Sequence, residues 1–317
     1  MIIPRKNIIE PFHRGLGPFI RRSLSSSSAP ASATSIGEWI TIEKIGVDGD
    51  GSDSSSSSSS NVAKLSMRRP PANSLSMEFM QDLSGAIKTL EDEEEIQSVV
   101  LTSGLTNGIF SAGLELSELY QPSFEERLPK FWSSFQQLYL DLYGSRLSTV
   151  AAIGGHAPAA GCMLALCCDY RVMTSKPTCV IGLNESMLGI VAPPWLCQMY
   201  IDTIGLRQAE LALLEGTLWS PQDALKIALV DELVDENKQE DQLASAVVEV
   251  AIQKAIEFAK IPSKARVGAK AVTRGRQIKS LIDNRQHDSD YFCSYVEDPA
   301  VQKTLGQYLE QLAKRKK

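Results

Sequence analysis

Residues 149–168 read TVAAIGGHAPAAGCMLALCC, a sequence with three distinct parts. The first part, 149–153, is a short apolar run with β-branched residues, which predicts a buried strand. The second part, Pro158-Ala-Ala-Gly161, consists of small residues and predicts a tight turn. The third part, 162–168, is apolar throughout and predicts a buried helix. A strand that leads through a turn into a helix in this way indicates an α/β fold.

The rest of the chain continues this alternation and then becomes mostly helical. Further strands are predicted at 39–45, 62–67, 98–102, 170–173 and 229–234. Ser76 is a predicted N-cap for a helix whose apolar stripe is Met80, Leu83, Ile87 and Leu90. Other helices are predicted at 124–143, after Pro193-Pro194, and at 206–215, 221–227, 239–260, 263–281 and 285–313. The pattern predicts an α/β core followed by a helical tail.

Composition narrows the class of protein. The chain has 317 residues and a net charge of -6, which fits a globular α/β protein and argues against nucleic acid as a partner. It contains no apolar run of about 18 residues, so we expect no transmembrane segment. The six cysteines form no CxxC motif and no paired spacing, so we expect reduced thiols and no metal site.

Two segments have a composition unlike that of the core. Residues 1–35 are basic, rich in serine and poor in acids, which is typical of a disordered mitochondrial transit peptide; the alternative is a disordered tail with no targeting role. Residues 46–61 contain an unbroken run of serines and predict a flexible loop. The predicted organisation is therefore a leader at 1–35, a core at 36–235 and a C-terminal helical region at 236–317.

Two small-residue turns and one acid carry the candidate chemistry. The turns are Phe110-Ser-Ala-Gly-Leu114 and Pro158-Ala-Ala-Gly-Cys162, and their small residues let a ligand approach the backbone N–H groups closely. Two N–H groups aimed at one point form an oxyanion hole. Glu185 stands in the largely apolar stretch 180–191, where burial raises a carboxyl pKa and makes the group a better base. Together these features predict proton transfer next to a carbonyl that becomes an enolate.

Each of these features also has a simpler structural explanation. Either turn alone fits a tight connection between a strand and a helix, and Glu185 alone fits a helix cap or an ion pair. A lone His156 is more simply structural, and Glu115 is more simply a solvated or capping residue. Asp169 and Arg171 are predicted to form a structural ion pair or hydrogen bonds. The sequence contains no GxSxG, HExxH, Walker A or GxGxxG motif, so it does not support the chemistries that depend on them.

At these positions the chain resembles the crotonase (enoyl-CoA hydratase/isomerase) superfamily, over about residues 40–312. The matching stretches are Pro70-Pro-Ala-Asn-Ser-Leu75, Val99-Val-Leu-Thr-Ser103, Phe110-Ser-Ala-Gly-Leu-Glu-Leu116, Pro158-Ala-Ala-Gly-Cys162, Cys168-Asp-Tyr-Arg171 and Ile181-Gly-Leu-Asn-Glu-Ser186. Within the superfamily, these stretches are most similar to the mitochondrial Δ3,Δ2-enoyl-CoA isomerases.

The resemblance implies a fold, a substrate and an assembly. It implies a crotonase-like spiral of ββα units with a C-terminal helical trimerisation region, a mitochondrial matrix location, and an acyl-CoA substrate with no separate cofactor. The family usually assembles as trimers or hexamers; a homotrimer is expected here, with a hexamer as the alternative. The resemblance implies an oxyanion hole formed by the N–H groups of Leu114 and Ala160, where Ala160 replaces the glycine that is common in the family. It also implies a substrate-binding set of Ala72, Asn73, Leu75, Ala112, Gly113, Gly161 and Asn184.

The acids distinguish the reactions within this family. Hydratases carry a second carboxylate directly after the Gly-Cys of the second turn, where this chain has Met163. Dienoyl-CoA isomerases carry an Asp eight residues beyond the equivalent of Glu185, where this chain has Pro193. With Glu185 as the single acid, the resemblance implies a 1,3-proton shift that converts a cis- or trans-3-enoyl-CoA to trans-2-enoyl-CoA in fatty acid β-oxidation. The alternatives are a hydratase or other crotonase-type acyl-CoA enzyme, and a non-catalytic RNA-binding or scaffold homologue.

Overall fold

A seven-stranded sheet forms the centre of the computed structural model, which describes residues 33–46, 61–123, 125–235 and 240–315. The sheet order is β1-β2-β3-β4-β5-β7-β9; β1 to β3 are antiparallel neighbours and the remaining pairs are parallel. A second sheet consists of β6 and β8. The strands are β1 (Thr34–Ile36), β2 (Ile40–Ile45), β3 (Val62–Met67), β4 (Ser98–Ser103), β5 (Ser148–Ile153), β6 (Ala157–Pro158), β7 (Tyr170–Thr174), β8 (Ile181–Gly182) and β9 (Glu232–Val234).

Helices pack on both faces of the large sheet and make up most of the chain after β8. They are α1 (Met77–Asp92), α2 (Arg127–Tyr143), α3 (Ala160–Cys167), α4 (Pro194–Ile204), α5 (Leu206–Glu215), α6 (Pro221–Lys226), α7 (Glu240–Ala259), α8 (Ser263–Glu297) and α9 (Pro299–Arg315). Short 3-10 turns lie at Leu116–Glu118 and Glu185–Leu188. The predicted α/β class, with a helical C-terminal region, is confirmed.

The two faces of the sheet are covered differently because consecutive strand residues point to opposite sides. One face of β3, β4, β5 and β7 packs against α7, where Val100 and Val150 meet Val247 and Ala251. The other face packs against α1 and α3, and α2 packs on both of these helices in the larger core. All six residues of β5 are buried, as are all eight of α3, which explains why both segments are apolar throughout.

Most predicted elements occur within a few residues of their expected positions, and the differences have local causes. The break expected between 281 and 285 is absent, because that segment contains no Gly or Pro and α8 continues to Glu297 before Pro299. β1 begins at Thr34, inside the segment that was predicted as the leader. Most of the predicted leader (residues 1–32) and most of the predicted serine loop (residues 47–60) lie outside the described residues.

The long helix α8 is attached to the core by ion pairs around Asp169. The Asp169 carboxylate lies 3.0 Å from Lys270 Nζ and 2.8 Å from an Arg274 nitrogen, and it accepts a hydrogen bond from the Thr149 N–H. Arg171 pairs with Asp231 at 2.8 Å. Asp169 and Arg171 thus each form an ion pair, but not with each other.

Replacing Asp169 with Ala is expected to lower the free energy of unfolding by about 3–5 kcal/mol, because two nearly buried cations lose their counter-charge. Urea denaturation followed by circular dichroism measures the change. The matched control is Asp283→Ala, which removes an exposed pair with Lys279 on the same helix and should cost at most about 0.5 kcal/mol. Equal effects of the two substitutions would contradict the anchoring role of Asp169.

Candidate active site

A cavity of about 650 Å³ brings the two turns and the acid together. Leu114 from the first turn, Ala160 from the second turn and Glu185 all line it. These residues are far apart in sequence, and the ends of β4, β5 and β8 bring them to one side of the core. The volume is within the usual range for a small-molecule site, roughly 300–1,000 Å³.

The first turn leaves the N–H of Leu114 free to donate to a ligand. Leu75 N–H donates to Gly113 O at 2.8 Å, and Glu115 N–H donates to Leu75 O at 3.1 Å. The backbone N–H groups of successive residues in an extended chain point to opposite sides. The N–H of Glu115 points toward Leu75, so the N–H of Leu114 points away from it. Among the described residues, no acceptor pairs with this N–H group.

The second turn supplies a matching donor at the start of α3. The first helical N–H group with a partner is that of Met163, which donates to Ala159 O at 3.2 Å. The N–H of Ala160, at the first helical position, therefore has no intrahelical partner and lies at the positive end of the helix dipole. Ala159, just before it, has φ 51° and ψ −126°, a conformation rare for a residue with a side chain, and this geometry orients the peptide that carries the Ala160 N–H.

The two turns touch each other through their glycines. Gly113 has φ +90°, and a Cβ atom added to it would lie 3.1 Å from the nitrogen of Ala160. A Cβ atom added to Gly161 would lie 2.3 Å from Ser111 O, a distance that real atoms do not adopt. The two free N–H groups are therefore carried by one closely packed backbone unit, which requires glycine at both positions.

Glu185 is a buried carboxyl group with the properties of a general base. It begins the 3-10 turn after β8, and its side chain is only 9% exposed. Oε2 of Glu185 has no hydrogen-bond partner within the described part of the chain. Burial raises the pKa of Glu185 to about 7, because water no longer stabilises its charge. A base with this pKa is near half-ionised at neutral pH, which suits proton abstraction followed by proton return.

The other acid on the cavity wall is already paired. Glu115 lies 3.0 Å from a guanidinium nitrogen of Arg69, which also donates to the carbonyl of Ser74. Met163 is fully buried and, unlike Pro193, is not among the cavity-lining residues; its sulfur accepts a hydrogen bond from the Cys167 thiol at 3.3 Å. Glu185 is thus the one unpaired carboxyl group on the described wall of this cavity.

The predicted substrate-binding residues divide into two groups. Ala72, Ala112 and Asn184 line the cavity, and the Oδ1 atom of Asn184 is buried without a partner among the described groups. The remaining four residues, Asn73, Leu75, Gly113 and Gly161, lie behind the wall. Their contacts are with protein: the Asn73 side chain accepts from Arg69 N–H and donates to Ser103 Oγ and Phe110 O, while Leu75 is bonded to the first turn.

Reasoning from the sequence missed the apolar end of the cavity. Its walls include Trp132, Phe135, Leu188, Ile190, Leu196, Phe292, Tyr308, Leu309 and Leu312. These residues come from helices α2, α4, α8 and α9 and from the segment after Glu185. On each helix the apolar face looks like ordinary core, so its sequence carries no sign that several such faces enclose a cavity.

The described residues contain neither a metal-binding cluster nor a membrane-spanning helix. No group of three or more His, Cys, Asp or Glu side chains in the described ranges is placed to hold a metal ion. Nor does the described part of the chain contain a helix that is both long and apolar enough to cross a membrane.

Comparison with known proteins gives consistent matches along most of the chain. A family model described as enoyl-CoA hydratase/isomerase matches residues 57–316. Enoyl-CoA delta isomerase 1, mitochondrial, from Mus musculus is 42% identical over 257 residues, which are 81% of this chain and 86% of the relative. The Homo sapiens protein of the same name is 39% identical over 81% of this chain and 82% of its own length.

Solved structures also match. The crystal structure of human mitochondrial delta3-delta2-enoyl-CoA isomerase superposes with a TM-score of 0.76 at 39% identity, covering 81% of this chain and 96% of that one. An enoyl-CoA hydratase from Bacillus halodurans superposes with a TM-score of 0.68 at 23% identity, covering 78% of this chain and 96% of that one, which is a likeness of fold alone.

Proposed function

This chain belongs to the enoyl-CoA hydratase/isomerase family, and on that premise we propose that it moves the double bond of a cis- or trans-3-enoyl-CoA to give trans-2-enoyl-CoA. The chain is an enzyme of the enoyl-CoA delta isomerase type, with the crotonase fold and a helical C-terminal region. The observation that carries the proposal is that Glu185 is, among the described residues of this cavity wall, the one unpaired carboxyl group beside the two free N–H groups.

The reaction begins with removal of a proton. The thioester oxygen of the substrate accepts hydrogen bonds from the N–H groups of Leu114 and Ala160. The ionised carboxylate of Glu185 takes the proton from C2, and the electron pair of the broken C–H bond enters a dienolate whose negative charge rests on the thioester oxygen. Each N–H donor to such an oxyanion contributes about 2.7–4 kcal/mol to the stability of the transition state.

The reaction ends with return of the same proton. Protonated Glu185 donates to C4, the electron pair of the former C3–C4 double bond forms the new C–H bond, and the double bond now joins C2 and C3. Glu185 is again ionised, so the reaction needs neither an oxidant nor a reductant. Addition of water would need a second acid to activate it, and the other wall carboxylate, Glu115, is held by Arg69.

The finer features of the substrate and location are part of the same proposal. In the proposed complex the adenine end of coenzyme A lies near the Ala72–Leu75 loop and Ala112; Ala72 and Ala112 are both on the cavity wall. The relatives are named as mitochondrial proteins, and the basic, serine-rich composition of residues 1–35 supports import into the matrix. There the enzyme serves the β-oxidation of unsaturated fatty acids.

A homotrimer is the proposed assembly. Exposed apolar side chains lie on and beside α5, close to the turn that carries Glu185: Met187, Leu211, Leu214 and Leu218. Apolar side chains exposed together in this way mark a protein–protein interface, and a second copy of this chain would cover them. Light scattering during gel filtration measures the mass in solution.

The direct test of the function is a spectroscopic assay. The protein is incubated with trans-3-hexenoyl-CoA, and the absorbance of the conjugated 2-enoyl thioester is followed. We expect the absorbance to rise in the absence of any other enzyme, and to rise and then fall when a hydratase is added. A protein that leaves 3-enoyl-CoA unchanged but adds water to 2-enoyl-CoA would be a hydratase and would overturn the proposal.

The pH dependence follows from the raised pKa of Glu185. The ionised form is the base, so kcat/KM should fall as pH falls through about 7 and should be roughly tenfold lower at pH 6 than at pH 8. The measurement is kcat/KM for trans-3-hexenoyl-CoA between pH 5 and pH 9. A profile that is flat across this range would contradict a buried carboxylate as the base.

A further inference from the structure

The apolar end of the cavity is closed by side chains from four helices that are distant in sequence. They include Trp132, Phe135, Leu196, Phe292, Leu309 and Leu312. If the function proposed above is correct, the thioester lies at the two turns, so the acyl chain of the substrate extends into this apolar end. The side chains that close it then decide how long an acyl chain the enzyme accepts.

Two of these side chains form a tightly stacked pair. The ring centroids of Trp132 and Phe292 lie 3.4 Å apart and their planes differ by only 9°. Both side chains are buried, and they join α2 to α8. Aromatic rings have few rotatable bonds, so this part of the wall yields less to a longer ligand than a wall of flexible Met side chains would.

A carboxylate on α8 holds the same indole from a second direction. Oδ2 of Asp288 accepts hydrogen bonds from Trp132 Nε1 at 2.8 Å, from Gln136 Nε2 at 2.8 Å and from Trp195 Nε1 at 3.4 Å. Asp288 precedes Phe292 by four residues, so both side chains lie on one face of α8. Trp132 is thus fixed by stacking and by a hydrogen bond to a charged acceptor, which is stronger than a neutral one.

From these contacts we propose that the Trp132–Phe292 pair sets the upper limit of acyl chain length, and that Asp288 is a positioning residue that holds Trp132 in place. The inference rests on the proposed function, because it takes the substrate to be a 3-enoyl-CoA. It adds that the long helix α8 determines which 3-enoyl-CoA molecules are good substrates.

The test compares substrates of increasing length. Values of kcat/KM are measured for the trans-3-hexenoyl, octenoyl, dodecenoyl and hexadecenoyl thioesters of coenzyme A, with the wild type and with Phe292→Ala. We expect the ratio of hexadecenoyl to hexenoyl kcat/KM to rise at least about tenfold in the variant, since single methylene groups in an apolar pocket change specificity by that order. The matched control is Phe258→Ala, which removes an aromatic ring of α7 that packs against Tyr170 outside this cavity. Its ratio should equal that of the wild type.

A second pair of variants tests the role of Asp288. Asp288→Ala removes the acceptor and should raise the same ratio, whereas Asp288→Asn keeps an acceptor oxygen and should restore a ratio near that of the wild type. A residue needed only for stability would lower kcat/KM for all four substrates alike and leave the ratio unchanged. If Phe292→Ala does not fold, Phe292→Leu, which keeps the apolar contact but not the stacking, replaces it.

Different results would overturn the proposed function and the inference about acyl chain length. A wild type that converts none of the four thioesters would overturn the proposed function. A wild type that is active, together with Phe292 and Asp288 variants whose length ratios stay within about twofold of it, would overturn the inference and leave the function intact.

Discussion

Replacing Glu185 with Gln is expected to lower kcat for trans-3-hexenoyl-CoA at least about 10³-fold, while the dissociation constant of the product stays within a fewfold of the wild type. The amide has nearly the shape of the carboxyl group but cannot take the C2 proton, and removal of a positioned base typically costs 10²–10⁴-fold. Oε2 of Glu185 has no partner among the described residues, so the substitution breaks no hydrogen bond of that atom. Stopped-flow absorbance gives kcat, and calorimetry with trans-2-hexenoyl-CoA gives the affinity.

The matched control for this substitution is Glu115→Gln. It changes the other carboxylate on the same cavity wall in the same chemical way, but it removes an ion pair with Arg69 rather than a free base. We expect kcat within about tenfold of the wild type. Full activity of the Glu185 variant would overturn Glu185 as the base, and a larger loss in the Glu115 variant would assign the base to Glu115.

The same substitution at Glu185 should also stabilise the protein at alkaline pH. The pKa in the folded state, about 7, lies above the ordinary value of 4.5, so the unfolded chain ionises first and wild-type stability is lost as pH rises from about 4.5 through 7. Gln carries no charge at any pH. The free energy of unfolding of the variant should therefore exceed that of the wild type by roughly 3 kcal/mol at pH 8 and by almost nothing at pH 4. Urea denaturation at the two pH values measures the difference.

Replacing Gly161 with Ala is the substitution expected to have the second largest effect, a loss of about 10²–10³-fold in kcat. The new Cβ would lie 2.3 Å from the carbonyl oxygen of Ser111, and because this atom belongs to the backbone the two turns must separate. Separation moves the N–H of Ala160 away from that of Leu114. Loss of one oxyanion donor lowers kcat by about 10²–10³-fold in comparable sites. The same assay with trans-3-hexenoyl-CoA measures the change.

Two control variants distinguish damage to the oxyanion hole from general effects of such substitutions. Gly85→Ala also replaces a helical glycine, but its Cβ meets no atom within 4 Å, so we expect full activity and a gain in stability of up to about 1 kcal/mol. Ala160→Gly keeps the N–H donor and removes only a methyl group, so kcat should stay within a fewfold. Normal turnover in the Gly161 variant would show that contact between the turns does not position the donors.

Local sequence was sufficient for most of the fold. The strand at 62–67 and the helix at 206–215 occur where they were predicted, because an apolar periodicity bounded by Pro, Gly or polar residues depends only on neighbouring residues. The predicted break in α8 was wrong because the polar residues at 283–285 resemble a loop in sequence but do not interrupt a helix where neither Gly nor Pro is present between 281 and 285. The partners of Asp169 were also beyond prediction, since Lys270 is a hundred residues away in sequence.

In the candidate site, too, some features follow from local sequence and others only from long-range packing. The residues that carry its chemistry, Glu185 and the small residues of the two turns, are recognisable from composition and spacing, because small residues and an acid within an apolar stretch are local properties. Whether Leu114 and Ala160 present free N–H groups to the same cavity depends on contact between Gly113, Gly161 and the opposite turn, which the packing of α3 against β5 and β8 supports. The pKa of Glu185 and the wall formed by Trp132 and Phe292 depend in the same way on burial by distant helices. Sequence determines which groups are available for catalysis, whereas their distances, solvation and enclosure arise from long-range packing, which no single stretch of the chain encodes.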